Sequence, residues 1–355
     1  MVKKSNNKVC IAMSGGVDSS VAAALLKQQG YDCVGIFMKL WHDPKAKVCR
    51  ENLCCSTEAY EDARKIAHKL GFPIYTFNYA QTFKQKIVNK FLKEYQKGKT
   101  PNPCIDCNKY IKFDLLLKTA LKLGCNYLAT GHYLKIAQEK NHKYKIFCAS
   151  DKNKDQSYFL YNLKQDQLAH LIFPLGKYQK SETRKIAEKL KLPVFEKPDS
   201  QEICFISESD HYSFLKRNLK LKSGPIKNLD GKILGQHQGL ALYTLGQRKG
   251  IKVGGTGPYY VVKIDKRNNT LYISNNFNEK KIYHQKFKIK NINWISGKKP
   301  SNKNLSVKIR YQAKPVKARI EGSTVYLKKT QRAVMPGQSA VFYAGKELLG
   351  GGIIA

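Results

Sequence analysis

The apolar run Val9 to Met13 reads as a buried strand, and the residues after it change character at once: Ser14 to Asp18 is glycine-rich and polar. Ser19 to Gln29 then carries Val21, Ala24 and Leu25 at helical spacing before Gly30 stops it, and Cys33 to Met38 reads as a second buried strand. From Ser56 to Leu70 the positions Ala59, Tyr60, Ala63, Ile66, Ala67 and Leu70 repeat with a helical period, closed by Gly71 with Pro73 beyond. Ile74 to Phe77 predicts a short strand, Gln81 to Lys97 a helix, Lys109 to Leu123 a helix ended by Gly124, and Tyr127 to Thr130 a strand, with Pro101 to Pro103 breaking the pattern between the two helices. This alternation implies a parallel sheet covered on both faces.

Beyond about residue 205 the texture becomes short alternating strands with turn signals at Asp230-Gly231, Asn268-Asn269 and Glu321-Gly322. Val307, Ile309 and Tyr311 alternate with polar partners, as do Val316, Ala318 and Ile320, followed by Thr324 to Leu327 and Ala340 to Tyr343. The expected architecture is therefore α/β, with a Rossmann-like parallel-sheet domain over residues 1–207, a small central β-rich domain over 208–283 and a C-terminal β-barrel-like domain over 284–355.

Composition changes this picture in two ways. Lys and Arg number 64 against 26 acidic residues, a formal charge of +38, which favours a polyanionic partner, nucleic acid first and a membrane surface second. An AT-rich genome enriches lysine everywhere, so the charge by itself names no ligand. The chain shows neither a charged n-region with a long apolar stretch behind it nor 18 consecutive apolar residues, and a cytoplasmic, non-membrane protein is the expectation. All 10 cysteines (Cys10, Cys33, Cys49, Cys54, Cys55, Cys104, Cys107, Cys125, Cys148 and Cys204) precede residue 205. In a reducing compartment, clusters of them point to thiol chemistry or metal binding rather than to a disulfide framework.

Ser14-Gly15-Gly16-Val17-Asp18-Ser19-Ser20 lies between a buried strand and a helix N-terminus, where backbone N–H groups and the helix dipole favour an anion. The paired glycines would let the backbone approach phosphate oxygens, Ser19 and Ser20 can donate from the first turn, and Asp18 can cap the helix or help place a cation. The Gly-Lys-Ser/Thr ending of a Walker loop is missing. The string resembles the PP-loop of the ATP pyrophosphatases, which implies cleavage of ATP to AMP and pyrophosphate and leaves the acceptor open.

Two cysteine islands narrow the acceptor. Thr100-Pro101-Asn102-Pro103-Cys104-Ile105-Asp106-Cys107-Asn108 is stiffened by two prolines, and with Asn108 opening the next helix Cys107 is expected near a helix N-terminus, where a thiolate is stabilised. Lys197-Pro198-Asp199-Ser200-Gln201-Glu202-Ile203-Cys204-Phe205-Ile206 presents one cysteine after a polar loop. With Met38, Thr130-Gly131-His132-Tyr133, Lys154-Asp155-Gln156-Ser157, Gly246-Gln247-Arg248 and Met335-Pro336-Gly337-Gln338, these islands resemble the bacterial tRNA-specific 2-thiouridylase family across nearly the whole chain.

That resemblance implies a tRNA-uridine 2-sulfurtransferase that uses ATP and Mg²⁺ to adenylate the C2 oxygen of a wobble uridine and then transfers persulfide sulfur to it. It assigns the persulfide to Cys204 and the nucleophile to Cys107, with a transient disulfide between them. It places ATP or AMP on Ala12, Met13, Ser14, Gly15, Gly16, Val17, Asp18, Ser19, Met38 and Gly131, and the target base on Asn102, Pro103 and Cys104. It puts tRNA on Lys154, Asp155, Gln156, Arg310 and Tyr311, with His132 and Gln338 in tRNA handling or base recognition. The sulfur would come from a cysteine desulfurase or a sulfur-relay carrier.

One position departs from the family. Cys104 stands where many members carry an acid or base, three residues before the nucleophile, and Asp106, being adjacent to Cys107, is not expected to substitute. The change creates Cys104-x-x-Cys107, half of a zinc or iron–sulfur pattern that Cys204 or the Cys49, Cys54, Cys55 group would have to complete; with no second Cys-x-x-Cys pair, no metal is assigned. Two other functions remain open at this stage: an amide-forming ATP pyrophosphatase acting on a small molecule, and a zinc-stabilised RNA-binding protein without catalysis.

Overall fold

The structure is a computed structural model describing residues 7–46, 56–199, 203–206, 211–254, 258–301 and 303–355. Its N-terminal part contains strands β1 (Lys8–Met13), β2 (Asp32–Lys39), β3 (Ile74–Asn78), β4 (Tyr127–Ala129), β5 (Leu134–Gln138), β6 (Tyr144–Cys148) and β7 (Leu171–Ile172). Five of them form a parallel sheet in the order β3-β2-β1-β4-β7. Because β1 carries apolar side chains on both faces, it takes the centre, where Val9, Cys10 and Ile11 are fully buried. The chain order reverses between β1 and β4, so the loops leaving these two strands diverge and open a crevice at their C-terminal ends, the usual ligand position in such sheets.

Helix α1 (Val17–Gln28) follows the glycine-rich loop, and α2 (Thr57–Leu70) starts on Ser56, whose hydroxyl accepts from the Ala59 amide, and ends on Gly71 at φ +68°. Residues 80–96 form a continuous helix whose middle turn, Lys84–Val88, widens to π geometry. The next helix opens at Pro103, six residues before the expected start at Lys109, with Asn102 as its N-cap and proline at its first position. It too widens to π geometry, over Asn108–Leu116, before closing as Leu117–Lys122. Such widened turns recur at functional sites.

The central part pairs β8 (Gly224–Lys227), β9 (Ile233–His237), β10 (Tyr260–Asp265) and β11 (Thr270–Ser274) in the order β10-β11-β8-β9. The C-terminal part comprises β12 (Tyr283–Trp294), β13 (Leu305–Lys308), β14 (Val316–Glu321), β15 (Thr324–Arg332), β16 (Ser339–Ala344) and β17 (Glu347–Ile354). These run β12-β15-β14-β13-β16-β17, and β12 pairs back to β17, closing a six-stranded barrel around Val307, Ile320, Val325, Phe342 and Ile354. Closure removes the exposed edges that an open sheet of this size would present.

The hairpin β5–β6 belongs to neither the parallel sheet nor the barrel by sequence position, yet β6 pairs antiparallel with β17, Glu347 opposite Phe147 and Leu348 opposite Ile146. The N-terminal part thus adds a two-stranded extension to barrel strand β17. A single apolar cluster also runs from Cys10 and Phe91 through Phe205 and Phe214 to Leu271 and Val341. The three parts share this core, and each fully buried Leu, Val or Phe in it contributes about 1.5–3 kcal/mol.

Candidate active site

A cavity of about 880 Å³ opens where β1 and β4 diverge. Ser14, Gly15, Gly16, Val17 and Asp18 line one wall, Asn102, Pro103 and Cys104 another, and His132, Lys154, Gln156, Ile203, Tyr311 and Gln338 complete it. Of the residues expected at the site from sequence, Ala12, Met13 and Ser19 lie at or just behind this wall with 9%, 1% and 4% exposure, and Met38 is half-buried near the end of β2.

The glycine-rich loop holds its shape through its own serines. Ser19 and Ser20 hydroxyls donate to the Gly16 carbonyl at 3.0 and 2.8 Å, and the Ser14 amide donates to Ser19 Oγ at 3.3 Å. Gly15 sits at φ +66°, and a Cβ on it would lie 2.1 Å from the Ala59 carbonyl oxygen of α2. Its lack of a side chain therefore also serves helix packing, whereas a Cβ on Gly16 would meet only Ser14 Oγ, at 3.6 Å. Gly131 is needed for a different reason: a Cβ there would fall 2.7 Å from the Asp18 carbonyl carbon and 2.8 Å from the Ser19 nitrogen. The loop after β4 can press against the loop after β1 only with glycine at 131.

Asp18 does not cap α1, whose N-cap is Gly16 with no side-chain bond. Instead Asp18 Oδ1 receives Lys180 Nζ at 2.6 Å and the Tyr133 hydroxyl at 2.8 Å. Lys180 went unnoticed in the sequence, where it looks like an ordinary helix-opening lysine. Its ammonium also lies 2.8 Å from Asp199 Oδ1, and Asp199 is further held by Lys154 at 2.7 Å and Arg184 at 2.8 Å. Burial would raise the Asp199 carboxyl, but the hydrogen bonds from Lys154 and Lys180 outweigh it and hold the group below the usual range. Arg184 additionally donates to the carbonyls of Phe195 and Lys197, and Lys197 pairs with Asp62 at 2.7 Å. Asp199 is thereby tied to Asp18 through one buried lysine.

The two candidate thiols belong to the same large apolar cluster, the one that runs from Cys10 to Val341. Cys107 is 8% exposed, Cys204 is half-buried, and both pack in the cluster that holds Ile105, Phe205, Ile206 and Phe91. Phe205 makes edge contacts with Phe83, Phe91 and Phe214, which fixes the residue beside Cys204. The cavity wall itself is made by their neighbours Cys104, Ile203 and Ile206. Cys107 occupies the fifth position of its helix, behind the N-cap Asn102, and the exposed Cys104 takes the second. The helix thus begins at Pro103, with Cys104 in its first turn and Cys107 four residues after its first position. Asp106 points away to Lys90 at 2.7 Å; burial raises its carboxyl, with Lys90 opposing.

His132 is buried, its Nδ1 2.6 Å from Thr130 Oγ1 and its Nε2 3.4 Å from Lys112 Nζ; burial, then the Lys112 charge, depress its pKa well below the ordinary value, so it is neutral. Gln338 donates to the Thr100 carbonyl at 2.7 Å, and the Thr100 amide donates to Pro336, fastening the Pro101–Pro103 segment to the barrel. Tyr311 packs against Phe159 with ring centroids 4.4 Å apart and the planes tilted by 43°. Arg310 and Tyr311 sit in a bend after β13 and not on a strand, and Arg310 donates to the Arg332 carbonyl. Asp155, expected on tRNA, is 5% exposed and accepts from the Ala149 amide and the Ser157 hydroxyl, which makes it a buried brace. Among the described residues no three His, Cys, Asp or Glu side chains gather as a metal site, and Cys49, Cys54 and Cys55 lie outside those residues.

Residues 7–208 match a family model described as tRNA methyl transferase HUP domain, 212–275 one described as tRNA methyl transferase PRC-barrel domain, and 284–354 one described as Aminomethyltransferase beta-barrel domain. The chain is 47% identical over 357 residues to a protein of Clostridium acetobutylicum named tRNA-specific 2-thiouridylase MnmA, covering 98% of this chain and 99% of that one. It is 45% identical over 358 residues to the protein of the same name from Clostridioides difficile, covering 98% of each.

Proposed function

The chain belongs to the tRNA-specific 2-thiouridylase family, and from that premise we propose that it replaces the C2 oxygen of a wobble uridine in tRNA with sulfur at the expense of ATP. The observation that carries this reading is the convergence of the glycine-rich loop, the Asn102–Cys107 helix and the Cys204 segment on one cavity. The names attached to two of the matched domains speak of methyl transfer, but two cysteine-bearing segments brought to a phosphate loop suit sulfur transfer: a thiol pair can accept, pass on and resolve a persulfide.

The C2 oxygen of uridine is a poor leaving group. ATP would lie on Ser14 to Ser19, with its phosphates toward the amides at the start of α1. Attack of the C2 oxygen on the α-phosphorus forms the O–P bond and expels pyrophosphate, leaving AMP as the leaving group at C2. Both close contacts to Asp18 fall on Oδ1 and its side chain is 35% exposed, so Oδ2 fits a hard cation; Mg²⁺ held there would neutralise phosphate charge. The terminal sulfur of a Cys204 persulfide attacks C2 and displaces AMP. Cys107 thiolate then attacks Cys204 Sγ, the bond between that sulfur and the transferred one breaks, C2=S forms, and a Cys107–Cys204 disulfide remains for an external thiol to reduce.

The nucleotide must leave the anticodon stack to reach the cavity, and Tyr311 on Phe159 offers an aromatic surface there. The charge of +38 supplies phosphate attraction. Sulfur is expected from a persulfide donor protein, a cysteine desulfurase or a relay carrier. The test is to incubate unmodified tRNA with the protein, ATP, Mg²⁺ and a persulfide donor, then digest and weigh the nucleosides. 2-Thiouridine from the wobble position with matching AMP supports the reading; sulfur elsewhere on the tRNA, or AMP without tRNA, contradicts it.

A further inference from the structure

Four lysines from all three parts of the chain meet beside the segment that enters the active site. Lys97 and Lys99, just past the helix 80–96, both reach Glu94, at 3.9 and 3.4 Å. Lys266, in the turn between β10 and β11, lies on Gly98, where a Cβ would fall 2.7 Å from Lys266 Cε and 3.4 Å from its Nζ. Lys290, on barrel strand β12, precedes Asn291, which lines one small cavity together with Glu94. Lys99 lowers the Lys290 pKa, while burial and then Lys99 lower that of Lys266; in both cases the opposing carboxylate is Glu94. The cluster therefore holds three more positive charges than negative.

Gathering like charges costs free energy unless something returns it, and a polyanion does so while releasing counterions. The location suggests which anion. Lys99 is three residues before Asn102, at most about 10 Å of extended chain, and Asn102 lines the active-site cavity. A second, small cavity of about 40 Å³, lined by Glu94, Asn102, Asn291 and Gly337, lies between the two. Lys266 and Lys290 are solvent-exposed, so a strand can reach them.

We infer that Lys97, Lys99, Lys266 and Lys290 form a phosphodiester-binding site at the junction of the three domains, holding the RNA backbone beside the nucleotide whose base enters the active-site cavity. The inference rests on tRNA being the substrate. It also gives the central domain a role, since Lys266 is its contribution and the site is complete only when the central turn and the barrel strand meet the N-terminal helix.

The experiment measures tRNA binding by the full-length protein over a series of salt concentrations, for wild type and for the double variant Lys266→Gln/Lys290→Gln, with ATP affinity as the check on folding. Loss of two phosphate contacts should flatten the slope of log K against log salt by about 1.4. The arginine pair Lys266→Arg/Lys290→Arg should restore the slope, and Glu94→Gln should tighten binding. A double variant with the wild-type slope and normal ATP affinity overturns the site. Titration with inorganic pyrophosphate at constant ionic strength separates a free-anion site: a weakened pyrophosphate affinity with an unchanged tRNA slope also overturns the assignment. Wild-type protein that binds tRNA but makes no 2-thiouridine sinks the functional reading alone, whereas normal thiolation with an unchanged slope sinks only this site.

Discussion

The two cysteine-bearing segments reach the same cluster by opposite means. Cys107 is held by backbone regularity: an Asn102 cap, proline at the first helical position and a helix that runs on to Lys122. Cys204 lies in irregular chain, anchored by the aromatic packing of Phe205 and, five residues upstream, by the contacts of Asp199 with Lys154, Lys180 and Arg184. The first arrangement carries one local ion pair, Asp106 with Lys90; the second shares Lys180 with Asp18 of the glycine-rich loop. On the proposed mechanism the regular segment would present the nucleophile and the irregular one the sulfur carrier, which receives sulfur from outside before both thiols act together.

The severest way to break this pairing is to remove the sulfurs. Cys107→Ser and Cys204→Ser should each lower 2-thiouridine formation by on the order of 10³-fold or more, with tRNA affinity nearly unchanged, as read by nucleoside mass spectrometry and filter binding. Next, Lys180→Met should strip the tether from Asp199 and leave two carboxylates facing each other. Breaking a largely buried ion network costs about 3 kcal/mol, a fall in melting temperature of roughly 4 °C for a chain of this length. If the melting temperature holds, the network is not what positions the segment. Asp18→Ala should cripple AMP formation while sparing the Cys204 side, where Lys180 keeps Asp199.

Smaller effects sharpen the comparison at the crevice. Gly131→Ala forces a Cβ against backbone atoms of Asp18 and Ser19. It should cost about 1–3 kcal/mol and weaken ATP binding measured by calorimetry. His132→Gln tests a buried neutral imidazole. Its folded pKa is depressed below 6.5, so the unfolded chain takes up a proton that the folded chain refuses. Wild-type stability should therefore fall as pH drops below about 6.5, by up to about 1.4 kcal/mol per pH unit from this group, and the variant should lose that slope in melts from pH 8 to 5.

Much of the N-terminal fold was legible because strand and helix alternate with distinct periods, and the loop after Met13 announces itself by its glycines. The hairpin β5–β6 was not: its partner, β17, lies some 200 residues later, and a short alternating run cannot say which sheet edge it will join. The early helix start was signalled by Asn102 and Pro103, an N-cap followed by proline, but the two prolines read first as a break. Lys180 had no signal, since its role arises from distant carboxylates at 18 and 199. Asp155 and Arg310 sit in strings that match the family, and nothing in those strings signals that the fold turns the first inward and bends the second off its strand.

The central claim is that the thiols of Cys107 and Cys204 act as a pair. Protein loaded with persulfide should be allowed one turnover on tRNA with ATP and no reductant, then alkylated, digested and analysed by mass spectrometry. The account expects a Cys107–Cys204 cross-linked peptide in step with the yield of 2-thiouridine. Full product yield with both cysteines recovered as alkylated thiols, or with Cys104 in the cross-link instead, would contradict it.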